Sequence, residues 1–306
     1  MRKKWVLSRK KRNIAVFCAN GLGDGLLSMV IAHNLYLNGH FVTIYSNILY
    51  HMKDCFSNVR IKPFVSEESL GEELSAYDFI IAFDHSMVSR SCKRGEETFI
   101  LLESSYDKKK SMLENILSVC KENLSLPSPT RDNGMRIPGD ALYRCFSKRV
   151  LIHPFSSSEK KNWPLEKFVK LAKSLRKEDF RPIFLASPEE RNSRECIFIE
   201  EKGLDLISFS DFPSLIKYVY ESGYMIGNDS GPGHLASFLR IPTLSIFARK
   251  SYSHLWRPGW GIGETVSPVI PLLGSSLRQK YWKNFLLASK VLKSFKSLVK
   301  KFQRFR

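Results

Sequence analysis

Eleven consecutive residues, Gly227-Asn228-Asp229-Ser230-Gly231-Pro232-Gly233-His234-Leu235-Ala236-Ser237, combine groups able to hold an anion. Asp229 and Ser230 are good N-cap types, and Gly231 and Gly233 put no Cβ between the backbone and a ligand. The apolar run Tyr224-Met225-Ile226 reads as the end of a buried strand, and Leu235 onward reads as a helix. A helix N-terminus offers unpaired N–H groups and a partial positive charge, which suits a phosphate or carboxylate. His234, one step into that helix, could add a ring able to carry a proton. The same spacing fits a plain βα turn capped by Asp229, and spacing alone leaves both readings open.

A second glycine-rich stretch, Asn20-Gly21-Leu22-Gly23-Asp24-Gly25, follows the strand-like run Asn13 to Ala19. A carboxylate placed after a parallel strand faces the ligand crevice of an α/β sheet. Asp24 also fits the simpler role of N-cap for the helix expected from Leu26 to Leu37. Dinucleotide binding is disfavoured. Leu26 stands where the fingerprint needs its third glycine, and no acidic residue ends the next strand, Phe41 to Tyr45.

Both turns need strands and helices to position them, and the pattern supplies these twice. Further buried strands are expected at Tyr77–Asp84 and Thr98–Leu102, with a polar loop from His85 to Arg90 between them. Residues 124–140, with Pro127, Pro129, Gly134, Pro138 and Gly139, read as a linker. The pattern restarts with a strand at Arg149–Pro154, a helix from Leu165 to about Leu175 with Pro164 as its first residue, and a strand at Pro182–Ala186. A short helix near Phe212–Ile216, the glycine-rich turn, and a strand at Thr243–Phe247 complete it.

Gly-Asn-Asp-Ser-Gly-Pro-Gly-His-Leu-Ala at 227–236, then Ile241-Pro242-Thr243 and Phe247, resembles the donor-site signature of glycosyltransferase family 9. That family contains the ADP-heptose:lipopolysaccharide heptosyltransferases. The Gly23-Asp24-Gly25 turn and the stretch His153-Pro154 through Lys161-Asn162-Trp163-Pro164 are similar to other parts of its pattern. The resemblance implies a GT-B fold, two facing Rossmann-like domains with parallel sheets and ligands in the cleft between them. It implies an inverting transfer of a sugar, heptose by family default, from a nucleotide sugar to lipopolysaccharide core or a related glycolipid. Asp24 would be the general base, flanked by Gly23 and Gly25 on the acceptor side. A sugar hydroxyl needs such a base, because it is a poor nucleophile until its proton has somewhere to go. Lys161 would contact the diphosphate, Glu190 the nucleotide ribose, and Asp229, Ser230, Gly231 and His234 would complete the donor site. Glu189 beside Glu190 and Arg257 in Trp256-Arg257-Pro258-Gly259-Trp260 are further polar neighbours without an assigned role. No D-x-D occurs, so no metal and no cofactor are expected beyond the nucleotide-sugar substrate, ADP-heptose.

At 306 residues the chain can hold two α/β domains, here 1–140 on the acceptor side and 141–278 on the donor side, followed by a basic amphipathic helix at 279–306. Six scattered cysteines without a C-x-x-C pair read as reduced thiols. Of the 48 basic residues, seven fall in residues 1–12 and ten in 276–306, neither segment holding an acid; the remaining 31 face 30 acids. The net charge of +18 therefore sits at the two ends. Nucleic-acid enzymes carry such charge through the fold, so no nucleic acid is expected and an anionic membrane surface is. No apolar run approaches a membrane span, and no secretory leader is evident. A cytoplasmic monomer, peripheral on the inner face of the inner membrane, is expected. In the C-terminal helix the apolar residues recur at steps of three and four; the stripe fits core packing or an anionic membrane surface, and both can hold along one helix with the front end packed and the basic end free. Two other readings remain: a non-catalytic polyanion- or membrane-surface-binding protein, and a transferase of the same fold using a hexose donor.

Overall fold

The computed structural model describes residues 10–83, 88, 99–102, 106–269 and 281–304. Most of the basic N-terminal run, most of the polar loop after Phe83, Cys92, Glu103 and residues 276–280 lie outside them. The chain divides into two compact units, Met1–Arg136 and Ile137–Arg306.

In the first unit, strand β1 (Asn13–Phe17) leads to helix α1 (Leu22–Leu37), β2 (Phe41–Tyr45), the short α2 (Asn47–Tyr50) and β3 (Arg60–Lys62). Then follow α3 (Glu67–Ser75), β4 (Phe79–Ala82), β5 (Phe99–Leu101) and α4 (Met112–Ser118). The sheet order is β3-β2-β1-β4-β5, with every adjacent pair parallel. Parallel strands are covered on both faces, so they read as continuous apolar runs rather than alternating ones. That is why Ile14, Ala15, Val16 and Phe17 are all buried. Helix α1 is buried at every position from Gly25 to Leu35, a helix enclosed almost all round. It begins at Leu22, four residues before the expected start. Gly21 is its N-cap, so Gly23 and Gly25 lie inside the helix and Asp24 is in its first turn, not at the cap. A Cβ on Gly25 would sit 3.0 Å from Leu49 Cγ, so this glycine allows α2 to approach α1.

The second unit is built from β6 (Phe146–His153), α5 (Leu165–Lys177), β7 (Arg181–Ala186), α6 (Arg194–Glu201), β8 (Asp205–Ser208) and α7 (Phe212–Tyr220). It continues through β9 (Ser222–Asn228), α8 (Gly231–Phe238), β10 (Thr243–Ile246), α9 (Lys250–Trp256), β11 (Gly263–Val266) and α10 (Ala288–Arg304). The order is β11-β10-β9-β6-β7-β8, again parallel throughout. Chain order runs outward from β6 in one direction and from β9 in the other. The break between them is a topological switch point, where the loops after neighbouring strands diverge and leave a crevice. Pro164 is the N-cap of α5 rather than its first residue.

Helix α10 is part of this unit's core. Val291, Phe295 and Leu298 are fully buried, together with Trp282 and Leu286 just before the helix. Phe295 meets Phe180 at 5.1 Å and Tyr224 at 5.2 Å, both edge to face. Phe302, about two turns further on, lies under the Arg144 guanidinium at 3.9 Å. The apolar stripe is thus packed as far as Phe302, and of the alternatives left open by the sequence the stripe takes the packed one. What faces solvent is the other side, with Lys293, Lys296, Lys300, Lys301 and Arg304 exposed. Among the described residues no helix is long and apolar enough to cross a membrane.

This packing makes the helix a stability element. Phe295→Ala is expected to cost about 3–5 kcal/mol, as for other large-to-small changes in a filled core. Denaturant unfolding of the two proteins, followed by tryptophan fluorescence, checks it; a loss under about 1 kcal/mol would place α10 outside the core.

Candidate functional site

Three loops at the C-terminal ends of β6, β7 and β9 converge at the switch point of the second unit. Strand β6 ends in His153, paired in register with Gly227 of β9. A Cβ on Gly227 would come within 2.8 Å of the His153 carbonyl oxygen, so glycine lets the two strand ends stay close. The next residue, Asn228, joins the loops: its Oδ1 accepts from Trp163 N at 3.0 Å and its Nδ2 donates to the Pro154 carbonyl. Asn228 is 1% exposed, so both bonds are made away from water.

The loop after β6 contains one 3-10 turn, Glu159–Lys161. Its far side is held by the segment before α10. The Trp282 indole donates to Lys160 O at 3.1 Å, and the Trp163 indole donates to Leu286 O at 3.0 Å. Lys167 Nζ donates to that same Leu286 carbonyl at 2.9 Å and to Asn284 O at 3.3 Å. Lys161 projects from this braced turn and pairs with Asp229 at 3.3 Å. The lysine is half exposed while Asp229 is mostly covered, so the ammonium stays available to a ligand.

Ser230 is the N-cap residue of α8, yet its side chain does not cap the helix. Its Oγ lies 3.0 Å from His153 Nδ1. On the other side of that buried ring, His153 Nε2 is 3.6 Å from Glu190 Oε2. Glu190 also accepts from Ser187 N at 2.8 Å. Burial alone pushes the Glu190 carboxyl up, but the nearby His153 ring and the hydrogen bond from Ser187 outweigh it and hold it below the usual carboxylate value. His234 is buried one turn into α8, with Trp260 edge to face at 6.2 Å. Burial lowers its pKa against the opposing pull of Asp229, so the ring enters as a neutral group, not as a cation.

Lys161, Glu190, Asp229 and Ser230 thus meet in one cluster, with Gly231 opening α8 and His234 behind it. His153 and Asn228 are the members that sequence reasoning passed over. A polar residue ending a central strand at a switch point is the signal that finds them. In the first unit, Asp24 lies after β1, itself next to the switch to β4 in that sheet. Its carboxylate folds back over Gly21, where an added Cβ would lie 2.9 Å from Asp24 Oδ2. Gly23 and Gly25 flank it in the same helical turn. Among the described residues, no three His, Cys, Asp or Glu side chains group to hold a metal ion.

The family model described as glycosyltransferase family 9 (heptosyltransferase) matches residues 78–262, more than half of the chain. Lipopolysaccharide heptosyltransferase 1 of Campylobacter coli is 34% identical over 118 residues, covering 36% of this chain and 34% of that protein. The alignment therefore spans about a third of that relative's length. The crystal structure of a family 9 glycosyltransferase from Veillonella parvula covers 98% of this chain and 99% of its own, with 15% identity and a TM-score of 0.72. The E. coli ADP-heptose lipopolysaccharide heptosyltransferase II structure covers 95% and 99%, with 14% identity and a TM-score of 0.68. At that identity the likeness establishes the fold, an α/β chain of the GT-B class with two parallel sheets.

The Glu190 environment carries a pH signature. Its folded pKa is depressed, so its stabilising contribution is complete above the ordinary carboxylate value and disappears as pH falls through the lower folded value. Glu190→Gln is expected to lose stability near neutral pH but to flatten the decline on acidification. Denaturation midpoints of both proteins across the acid range read this; parallel declines would remove Glu190 as a source.

Proposed function

The chain belongs to glycosyltransferase family 9, and from that premise we propose that it is an inverting glycosyltransferase. It moves heptose from ADP-heptose to lipopolysaccharide core or a related glycolipid. One observation carries the reading: Lys161, Ser230 and the start of α8 are brought together at the switch point of the second unit's parallel sheet. Breaking the sugar–phosphate bond leaves negative charge on the departing diphosphate, and such charge is stabilised by a fixed cation and oriented N–H groups. Lys161 supplies the cation, while Ser230, Gly231 and the neutral His234 line the helix start and Asp229 holds Lys161 in place. Glu190, kept ionised, accepts from a hydroxyl of the nucleotide ribose.

Asp24 takes the proton of the attacking acceptor hydroxyl, with Gly23 and Gly25 beside it on the acceptor side. The transfer runs without a metal ion, since the protein's own donors neutralise the leaving group. The protein works as a monomer in the cytoplasm, on the inner face of the inner membrane. Attachment there is electrostatic, through the acid-free outer face of α10 with Lys293, Lys300, Lys301 and Arg304, each worth about 1 kcal/mol near an anionic leaflet at low salt. A hexose donor is the reading one step away, because few pocket contacts separate hexose from heptose.

Transfer of labelled sugar from ADP-heptose to a core acceptor tests the activity directly. Asp24→Asn is expected to lower kcat by about 10²–10⁴-fold, the usual contribution of a general base, with donor affinity nearly unchanged. Unaltered turnover at saturating substrate would remove Asp24 from the chemistry. For the membrane, the full chain should co-sediment with anionic but not neutral vesicles and be released by salt. Charge reversal at Lys293, Lys300 and Lys301 should lower that binding several-fold without unfolding the helix; equal sedimentation would assign attachment elsewhere.

A further inference from the structure

The donor cluster has an electrostatic mismatch with an anionic ligand. Among the described residues, the charged groups joined to this cluster by ion pairs are Glu190 from the turn after β7, against His153, and Asp229 from the β9–α8 turn with Lys161 from the loop after β6. Two carboxylates against one ammonium leave the cluster at −1 while His153 is neutral, and a nucleotide diphosphate brings further negative charge.

The hydrogen bonding shows the same mismatch. Imidazole and hydroxyl are 3.0 Å apart, so one must donate to the other. A neutral ring with its Nε2 proton toward Glu190 leaves Nδ1 as an acceptor, and the Ser230 hydroxyl must then donate to it. The hydroxyl proton is thereby used within the protein, and Oγ presents only lone pairs to a phosphate oxygen. With a proton on Nδ1 the bond reverses: the ring donates to Oγ, and the Ser230 hydroxyl is free to donate outward. The imidazolium then lies between Ser230 and the Glu190 carboxylate, and the cluster becomes neutral.

We infer that His153 is a positioning residue for the donor diphosphate, and that donor binding draws one proton from solvent onto its Nδ1, turning the Ser230 hydroxyl toward the phosphate. This rests on the cluster being the donor site, as proposed above. The proton arrives from the buffer and leaves again when the nucleotide departs. Product release is thereby coupled to pH, with affinity rising as pH falls toward neutrality. Phe155, edge to face with His153 at 5.8 Å, keeps the ring in one orientation through both states.

Calorimetric titration of ADP-heptose into the full chain, near neutral pH in Tris and in PIPES, tests the idea. The diphosphate diester of this ligand has no group of its own titrating there. Binding should be more endothermic in Tris, by an amount corresponding to a sizeable fraction of one proton taken up, and affinity should rise by up to tenfold per pH unit of acidification. His153→Gln, which keeps hydrogen-bonding capacity but cannot titrate, should bind more weakly and show no buffer dependence. Should that variant not fold, ¹⁵N NMR of the wild-type histidine rings reads the same event, with His153 becoming imidazolium when ADP-heptose is added. ADP-heptose binding with equal enthalpy in both buffers, or proton uptake retained in His153→Gln, would overturn the inference and leave the proposed function standing. No binding in either buffer would overturn both.

Discussion

The side-chain amide of Asn228 is the contact on which the proposed donor site depends. A switch point in a parallel sheet creates a crevice because the chain leaves its two central strands in opposite directions. The same divergence would let the loops drift apart. Asn228 ends β9 and answers both sides with one group, accepting from Trp163 N and donating to Pro154 O. The loop after β6 is thereby registered to the turn that opens α8. Both bonds are buried, and a buried polar group left without its partner costs about 1–3 kcal/mol. Alternative placements of the loop are penalised accordingly.

The brace from the segment before α10 acts on the other side of that loop. Trp282 and Trp163 each exchange an indole N–H for a carbonyl across it, while their rings fill the core. A tryptophan can do both at once, with an apolar body and one polar edge needing a single acceptor. Lys161 is consequently held by backbone that is fixed from two directions. A half-exposed lysine on an unbraced loop would lose rotamer and backbone freedom on meeting any ligand, and affinity would fall by that cost.

Much of this was legible in the sequence, and the failures have physical causes. Strands β1, β2, β6, β7, β9 and β10 are buried on both faces, so their apolar runs stand out whatever their context. Strands β3, β8 and β11 escaped notice because they are three or four residues long and end or edge their sheets, with partly covered side chains. Helix α1 starts before Leu26, although Gly23 and Gly25 read as turn residues. One of them serves close packing against Leu49 instead. The strand–turn–helix around Asp229 and Ser230 was legible, although β9 runs on to Asn228 and the helix already begins at Gly231, because Gly231, Pro232 and Gly233 read as turn residues. His153 was not, since nothing in its local spacing tells that a serine 77 positions later will reach its ring. The apolar period of α10 was visible, but a stripe of that kind reads identically whether protein or lipid covers it. Only the partners Phe180 and Tyr224 decide it.

The Trp163 to Leu286 bond joins residues 123 positions apart, and the Trp282 to Lys160 bond joins residues 122 apart. During synthesis the strands that display the loop after β6 emerge long before the segment that locks it. Contacts of such high sequence separation form late, because their closure entropy must be met before they stabilise anything. The nascent second unit therefore passes through a stage in which its sheet is present and its loop is still loose. A ribosome stalled between β9 and residue 281 would hold a chain with a recognisable fold and a loop after β6 that is not yet braced. That interval is when chaperones and proteases would find the most exposed apolar surface.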